Sequence, residues 1–379
     1  MNHDLFGGSI NVWLDAFIRV NIVVLLMTVV VMGLIYLERK VIARFQMRLG
    51  PTRTGPAGLL QSLADALKLV GKEDVRPERA DPWVFELAPY FVFIPVFLGF
   101  VVVPFALGWE IRALELGLLY LLATSSVNVL GMVMAGWGSD NRYAMLGGLR
   151  SAAQAISYEI PLVVALLAAA MLANSFNLTV ISEAQGRVPF IVWQPLGFVI
   201  FYIGMLAELN RTPFDIAVGE SETAGGPHIE YSGIRWSMFF LAEYAALWIM
   251  SLVGAAVFLG GPAWPLGEEW GFPMQVALTA VKSGLLIFSV FWVRSTLPRL
   301  RVDQLMAFSW KVLLPLSFAQ VMLNGLVLVY DLDNWARYGF LLVQGLAGVA
   351  FLAWVIDRAV RRPRPRPAAM PAAASEAAS

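Results

Sequence analysis

The chain has 379 residues, of which 59% are hydrophobic and only 14% charged, against roughly 25% charged residues in soluble domains. It contains no cysteine and two histidines, which excludes an iron–sulfur cluster or a thiolate zinc site held by this chain. Its 27 basic residues balance its 27 acidic ones, so the composition gives no indication of nucleic-acid binding. Neither a dinucleotide-binding G-x-G-x-x-G motif nor a P-loop occurs, so any redox centre or nucleotide must be bound by another chain.

Nine long apolar runs predict nine membrane-spanning helices, because about 20 helical residues are needed to cross a bilayer. The alternation of polar and apolar residues that is typical of membrane β-barrels is absent from the sequence. We therefore predict an all-α polytopic helical membrane protein, with a single membrane domain over residues 1–357. The predicted spans are 17–37, 84–107, 115–136, 152–173, 189–207, 238–260, 276–293, 312–330 and 338–356.

Lysine and arginine are concentrated in every second connecting segment, and such segments lie on the inside of a membrane. The basic segments follow the first, third, fifth and seventh predicted spans, while the opposite loops carry few basic residues. This bias predicts an N-terminus outside and residues 38–83, 207–237 and 294–311 inside. It also places the Arg/Pro/Ala-rich tail 358–379 in the cytoplasm, where we expect it to be disordered.

The first inside segment contains a predicted amphipathic helix over residues 56–70. Its polar side chains Gln61, Asp65 and Lys68 recur with helical spacing, and leucines cover much of the remaining surface. A helix with this pattern lies in the membrane–water interface, with its polar stripe facing protein or water.

Charged residues at membrane depth are the most informative feature of the sequence, because an unpaired one costs about 3 kcal/mol. Glu159, Glu208 and Glu243 lie at or inside the ends of three predicted spans, and Lys282 lies within another. Such groups mark pathways for protons, ions or substrates. We therefore predict a hydrated cluster of the three acids on a proton path, with Lys282 as its buried counter-charge. Static ion pairs for the acids, and a lysine that extends to the membrane surface, remain the alternatives.

Three stretches of the sequence resemble one protein family. The first joins Glu38-Arg39-Lys40 to Arg48-Leu49-Gly50-Pro51, the second runs from Ala207 to Asp215 and on through Glu220-Ser221-Glu222 to Glu230-Tyr231, and the third is 294–306. They resemble the quinone-site membrane subunit of proton-pumping NADH:quinone oxidoreductase (respiratory complex I). The resemblance extends to about residue 330. Since eight spans are typical of the family core, the ninth is expected to be a C-terminal addition.

The resemblance implies a complex I subunit that is not active alone. With peripheral subunits, it would form the access tunnel and reduction site for quinone and couple quinone reduction to proton translocation. It would bind no cofactor itself, because peripheral partners hold the flavin and iron–sulfur clusters. Small and antiporter-like subunits would adjoin it in the bacterial inner membrane. The residues implied to bind quinone are Glu38, Arg39, Asp65, Lys68, Glu220, Glu222, Arg294 and Arg299. The catalytic residues implied for the proton path are Glu159, Glu208, Glu243 and Lys282.

Two other functions are compatible with parts of this pattern. The equivalent subunit of a membrane-bound hydrogenase or formate hydrogenlyase would share the fold without needing quinone. A free-standing secondary ion transporter would share the buried charges. The intact string from Asn210 to Asp215 and the complete segment 294–306 favour the quinone enzyme. The sequence departs from the family pattern at Val218, where an acid is usual, and at Val302, where a tyrosine is usual.

Overall fold

The computed structural model describes residues 12–217, 219–265, 271–330 and 334–361, and in these ranges the regular structure is helical. The α-helices are α1 Val12–Phe45, α2 Gln61–Gly71, α3 Pro82–Gly99, α4 Gly117–Gly138, α5 Arg142–Ala173, α6 Leu178–Glu183, α7 Phe190–Trp193, α8 Pro195–Glu208, α9 Glu220–Thr223, α10 Gly233–Phe258, α11 Phe272–Thr296, α12 Val302–Phe308, α13 Leu314–Val329 and α14 Asn334–Arg361. The all-α polytopic fold is therefore confirmed.

Eight helical stretches in the described part of the chain are long and apolar enough to cross a membrane. They are Val20–Phe45, Pro82–Val102, Gly117–Gly138, Arg142–Ala173, Gly233–Phe258, Phe272–Thr296, Val302–Val329 and Tyr338–Arg358. The remaining predicted span, 189–207, is divided into the short helices α7 and α8. Its division has a local cause, since Pro195 has no N–H to donate and Gln194 before it adopts a non-helical φ of −130° and ψ of 59°.

Helix α10 lies at the centre of the bundle. In its most apolar stretch, 72% of the residues are buried, and it packs against α1, α3 and α11. Helices α3, α4 and α5 pack side by side along the same bundle, and glycine permits the closest approaches. A Cβ atom at Gly136 of α4 would lie 2.6 Å from the carbonyl oxygen of Ala144 of α5. This packing brings one end of α3, α4, α5, α8, α10 and α11 together.

The predicted amphipathic helix is present as α2. It begins at Gln61, because Pro56–Gly58 forms a separate 3-10 turn in which Ala57 has a positive φ of 56°. Leu67 and Val70 are exposed on its apolar face. On the polar face, Asp65 accepts a 2.6 Å hydrogen bond from Arg39 at the end of α1. The polar stripe of α2 therefore faces protein, in agreement with the expectation from its spacing.

Helix α14 packs on the broken pair α7 and α8 and on α13. Gly345 lies against the ring of Pro195, where a Cβ atom would be 2.5 Å from Cδ. Gln344 donates a 2.7 Å hydrogen bond to Asn324 of α13. The helix continues to Arg361, so the first residues of the predicted tail are helical. The rest of that tail, residues 362–379, lies outside the described residues, and its disorder stays a prediction.

Candidate functional site

The site is built around the loop that follows α8, at the end of the bundle where α1, α8 and α11 end and α10 begins. We call this the inner end, because it carries the segments predicted to lie inside. The loop turns at Asn210, which has a positive φ of 48°. The amide of Gln154, on α5, donates to the carbonyls of Ala207 and Phe214, both at 2.7 Å, and to the side-chain oxygen of Asn210 at 3.1 Å. These bonds hold the loop against the bundle.

Four charges of alternating sign meet beneath this loop, and we call Arg294, Glu38, Arg211 and Glu243 the four-charge row. Glu38 accepts hydrogen bonds from Arg294 of α11 and from Arg211, whose Nη1 lies 3.2 Å from Oε1. Nη2 of Arg211 lies 3.2 Å from the Glu243 carboxylate of α10. The side chains of Glu38 and Arg211 are 4% and 3% exposed, so their charges depend on one another for compensation.

A cavity of about 960 Å³ opens beside this row. Its wall is apolar in part, with Val92, Trp236, Phe239 and Phe240 among the lining residues. The charged or titratable residues that line it are Glu159, Glu208, Arg211, Asp215, His228, Glu243, Tyr244, Arg294 and Arg299. One space therefore contains groups from the inner end together with acids of the membrane-length helices.

The three acids predicted as neighbours all line this cavity. Glu159 of α5 accepts a hydrogen bond from Ser126 of α4. Glu208 ends α8, and its Oε2 is enclosed without a hydrogen-bond partner among the described residues. The side chain of Glu243 is 39% exposed. The three acids therefore lie around one cavity, but they differ in their hydrogen bonds and in their exposure.

Lys282 does not join these acids, and its predicted role as their counter-charge is wrong. Its ammonium group donates to the carbonyls of Leu259, Gly261 and Trp264 at 2.8, 2.5 and 2.5 Å. These carbonyls follow the far end of α10, and Lys282 is not among the residues that line the cavity. It precedes Arg294 by twelve residues on α11, which corresponds to about 18 Å along a helix. Arg211 is the buried counter-charge at the cavity.

The residues expected to bind quinone separate into two groups. Arg294 and Arg299 line the cavity, and Glu38 is joined to it through its two arginines. Arg299 also lies 3.0 Å from Asp215. Glu38 itself does not line the cavity, and neither do Arg39, Asp65, Lys68 and Glu222. The side chain of Glu220 lies outside the described residues.

Three of these residues outside the cavity, Glu222, Asp65 and Arg39, form ion pairs between elements. Glu222 is 2.6 Å from Arg150 of α5. Asp65 is paired with Arg39 and accepts a further bond from Gln61 at 3.1 Å. Desolvation raises the pKa of Asp65, but the bonds from Arg39 and Gln61 outweigh it and leave the pKa below its ordinary value. Asp65 is therefore ionised at neutral pH and presents a fixed negative charge on α2.

The sequence interpretation assigned no site role to four charged or titratable residues of the cavity, which are Arg211, Asp215, His228 and Tyr244. Arg211 had a visible signal, since it is the single arginine or lysine within a run of acids from Glu208 to Glu230. His228 had none, because one histidine without a partner has no characteristic spacing. Its ring packs 4.6 Å from that of Phe239, and burial lowers its pKa to about 4. The imidazole is therefore neutral at physiological pH.

Comparison with known proteins connects this site to one family. A family model described as NADH dehydrogenase matches residues 18–325. The H subunit of the NADH-quinone oxidoreductase of Brevibacillus brevis is 47% identical over 315 residues, which are 82% of this chain and 93% of the relative. That of Dehalococcoides mccartyi is 47% identical over 313 residues, 82% and 86% of the two chains. That of Geobacillus kaustophilus is 47% identical over 291 residues, 76% and 87%. The matched range contains every cavity residue and ends before α14.

Proposed function

Since the chain belongs to the NADH dehydrogenase family of NADH–quinone oxidoreductase H subunits, we propose that it forms the membrane wall of the quinone site and transmits the charge of quinone reduction to acids in the membrane. The chain is a multi-pass membrane subunit of a proton-translocating, multi-subunit enzyme.

The observation that carries the proposal is the continuity of the cavity. Arg294 and Arg299 line it at the inner end, and Glu159, Glu208 and Glu243 line it from three of the bundle's helices. A charge that appears near the arginines is therefore separated from the acids by one shared space, with no packed protein layer between. In such a space, electrostatic interactions are stronger than in bulk water.

Quinone fits the chemistry of this wall. Its head group is flat and neutral, and its carbonyl oxygens accept hydrogen bonds, which guanidinium groups donate well. The aromatic side chains of Trp236, Phe239 and Phe240 offer apolar surface for the ring. The exposed leucines of α2 offer a surface for the isoprenoid tail where it leaves the lipid. The ionised Asp65 and its partner Arg39 mark the polar edge of that path.

Reduction of the quinone supplies the signal for proton movement. Two electrons make the head group anionic until two protons arrive, and neighbouring groups respond to this change of charge. Glu159, Glu208 and Glu243 share the cavity, so the protonation of each depends on the charge of the others. The acids therefore act together as the start of the proton path.

Other subunits complete this function. We propose that the peripheral partners hold the flavin and the iron–sulfur clusters that deliver electrons, and that they close the quinone tunnel over the inner end of the bundle. Small and antiporter-like membrane subunits continue the proton path in the bacterial inner membrane. The relatives described above are named NADH-quinone oxidoreductases, which favours quinone as the electron acceptor over a hydrogenase reaction. A free-standing transporter has no such support.

Replacement of Arg294 by alanine tests the quinone-site part of the proposal. In the assembled complex, Arg294→Ala is expected to lower NADH–quinone turnover by about tenfold, the effect of one lost charge-assisted hydrogen bond. NADH oxidation by ferricyanide, a hydrophilic acceptor reduced at the flavin, should be unchanged. The matched control is Arg301→Ala, because Arg301 belongs to the same segment but pairs at the surface with Asp303. Normal quinone turnover in Arg294→Ala, or a parallel fall of both activities with subunit content, would contradict the assignment.

A further inference from the structure

The four-charge row connects the quinone side of the cavity to one acid of the proton path. Its first member, Arg294, and its last, Glu243, both line the cavity, and Glu38 and Arg211 lie buried between them. We propose that Arg211 is a positioning residue that holds the Glu243 carboxylate, and that the row releases Glu243 when negative charge forms beside Arg294. This inference rests on the proposed function, since it specifies how quinone charge reaches the acids.

The first step takes place at the Arg294 end of the row. The side chain of Arg294 is 34% exposed, and its partner is Glu38. An anionic oxygen on a reduced quinone would compete with Glu38 for the same guanidinium group, because both are anions that form charge-assisted hydrogen bonds with it. Glu38 is almost fully buried, so water cannot compensate its negative charge. Its charge must therefore be balanced more strongly by Arg211.

The second step takes place at Arg211, whose contacts with its two acids differ. Nη1 donates to both carboxylate oxygens of Glu38, at 3.2 and 3.4 Å. Toward Glu243 there is a charge contact of 3.2 Å, but Nη2 and Nε have no hydrogen-bond partner among the described residues. The contact with Glu243 is therefore the less directional one, since Glu38 accepts aligned hydrogen bonds from Arg211 and Glu243 does not. When Glu38 attracts Arg211 more strongly, the contact between Arg211 and Glu243 is therefore the first to break.

The third step is movement of Glu243, the acid of the row that has room for it. Glu243 is 39% exposed, whereas Arg211 and Glu38 are enclosed and Arg211 packs over the ring of Tyr244 at 4.7 Å. A released Glu243 carboxylate takes up a proton that reaches the cavity from the aqueous phase, and when Arg211 binds it again it passes the proton to a neighbouring carboxylate of the cavity, Glu159 or Glu208. The other titratable or charged groups that face it across the cavity are Glu159 on α5, Glu208 on α8, Asp215 and His228 in the loops, Tyr244 on α10, and Arg299 after α11.

A double-mutant cycle in the complete enzyme tests this inference, because the row joins Arg294 to Glu243 through the two buried residues. Arg294→Gln and Glu243→Gln are made singly and together, and quinone turnover is divided by ferricyanide activity to correct for the amount of enzyme. The effect of the pair should differ from the product of the single effects by about threefold or more. Arg294→Gln should also shift the pH profile of turnover, and this shift should vanish when Arg211→Lys is added, because an ammonium group cannot bridge both acids.

The control cycle pairs Glu243→Gln with Arg299→Gln. Arg299 lines the same cavity, but it pairs with Asp215 and does not belong to the row. Turnover of the Arg299→Gln, Glu243→Gln double variant should therefore fall by the product of the two single effects. If the Arg294 pair is also multiplicative, the row does not transmit charge and the inference is overturned, while the proposed function stands on the single variants. If neither Arg294→Gln nor Glu243→Gln alone alters turnover or pumping, both the proposed function and this inference fail.

Discussion

Single side chains decide which charges of this protein can change and which are fixed. Arg211 is enclosed between two carboxylates, so its own positive charge is compensated on both sides. Gln154 is neutral, yet its three hydrogen bonds determine where the loop that carries Arg211 lies. Glu159 is in a different position, because its hydrogen-bond donor is the hydroxyl of Ser126 and not a cation. This contact therefore brings no positive charge to compensate the Glu159 carboxylate.

Replacement of Glu159 tests the proton path at the residue scale. Glu159→Gln preserves shape and hydrogen bonding but removes the titratable group, so the complex should assemble and bind quinone while proton pumping in membrane vesicles falls severalfold. Glu159→Asp keeps the acid and should retain more activity. The control is Glu230→Gln, because Glu230 lies outside the cavity and pairs with Asn141 at 2.6 Å. Normal pumping by a fully assembled Glu159→Gln enzyme would exclude this residue from the path.

At the scale of the elements, α14 covers the break between α7 and α8. Non-helical backbone at membrane depth is tolerated only where protein surrounds it. Gln194, at the break, is buried and donates to the carbonyl of Ala168 at 3.1 Å, and Asn324 donates to the same carbonyl at 3.3 Å. Gln344 of α14 then donates to Asn324. Helix α14 lies beyond the range that the family model matches, and it packs around the break at Gln194, which lies inside that range.

Substitution of a glycine in α14 tests whether this close packing matters. Gly345→Leu must displace the rigid ring of Pro195, so it is expected to destabilise the subunit by about 1–3 kcal/mol and lower the amount of assembled complex. Gly339→Leu is the matched control, because no atom outside the immediate backbone lies within 4 Å of a Cβ atom at Gly339 in the described part of the chain. Native gels and thermal denaturation of the purified complex measure both variants. Equal stability of the two would mean that α14 is not held at Pro195.

At the scale of the whole molecule, charge is distributed unequally between the two ends of the bundle. The inner end carries the four-charge row and the ion pairs Arg39–Asp65, Arg150–Glu222 and Arg299–Asp215. The positive-inside bias predicts that this end faces the cytoplasm. The eight long helical stretches of the described chain and the broken pair α7 and α8 make nine crossings if the pair crosses the membrane once. With nine crossings, the C-terminal end of α14 lies on the same side as the inner end.

Cysteine labelling tests this orientation, and the absence of native cysteine makes it direct. Glu78, Glu115 and Arg358 are exposed and can each be replaced by cysteine. A membrane-impermeant maleimide should label positions 78 and 358 from the cytoplasmic face and position 115 from the opposite face. Labelling after solubilisation shows that each cysteine can react. Labelling of 78 and 358 from opposite faces would mean that α7 and α8 do not cross together.

The sequence predicted much of the site, but not its pairings. The motifs indicated Glu38, Arg294 and Arg299, and the acids Glu159, Glu208 and Glu243 stood out by their positions at or inside the ends of apolar runs. Arg211 was visible within its motif but received no role, because sequence position does not reveal which of several acids an arginine reaches. Lys282 received the wrong partner for the same reason. Its depth was apparent, but its neighbours come from the turn after α10, which the sequence does not place.

The sequence by itself determined that this protein is a bundle of membrane-length helices, because every stretch that crosses hydrocarbon must be apolar and must satisfy its own backbone. It also determined membership of the NADH–quinone oxidoreductase family, through contiguous motifs. Only the tertiary structure decided that one cavity joins the arginines of the inner end to three acids, that Arg211 bridges Glu38 and Glu243, and that α14 covers a broken span. These features depend on the rotation and axial position of packed helices, which are set by contacts between residues far apart in the chain.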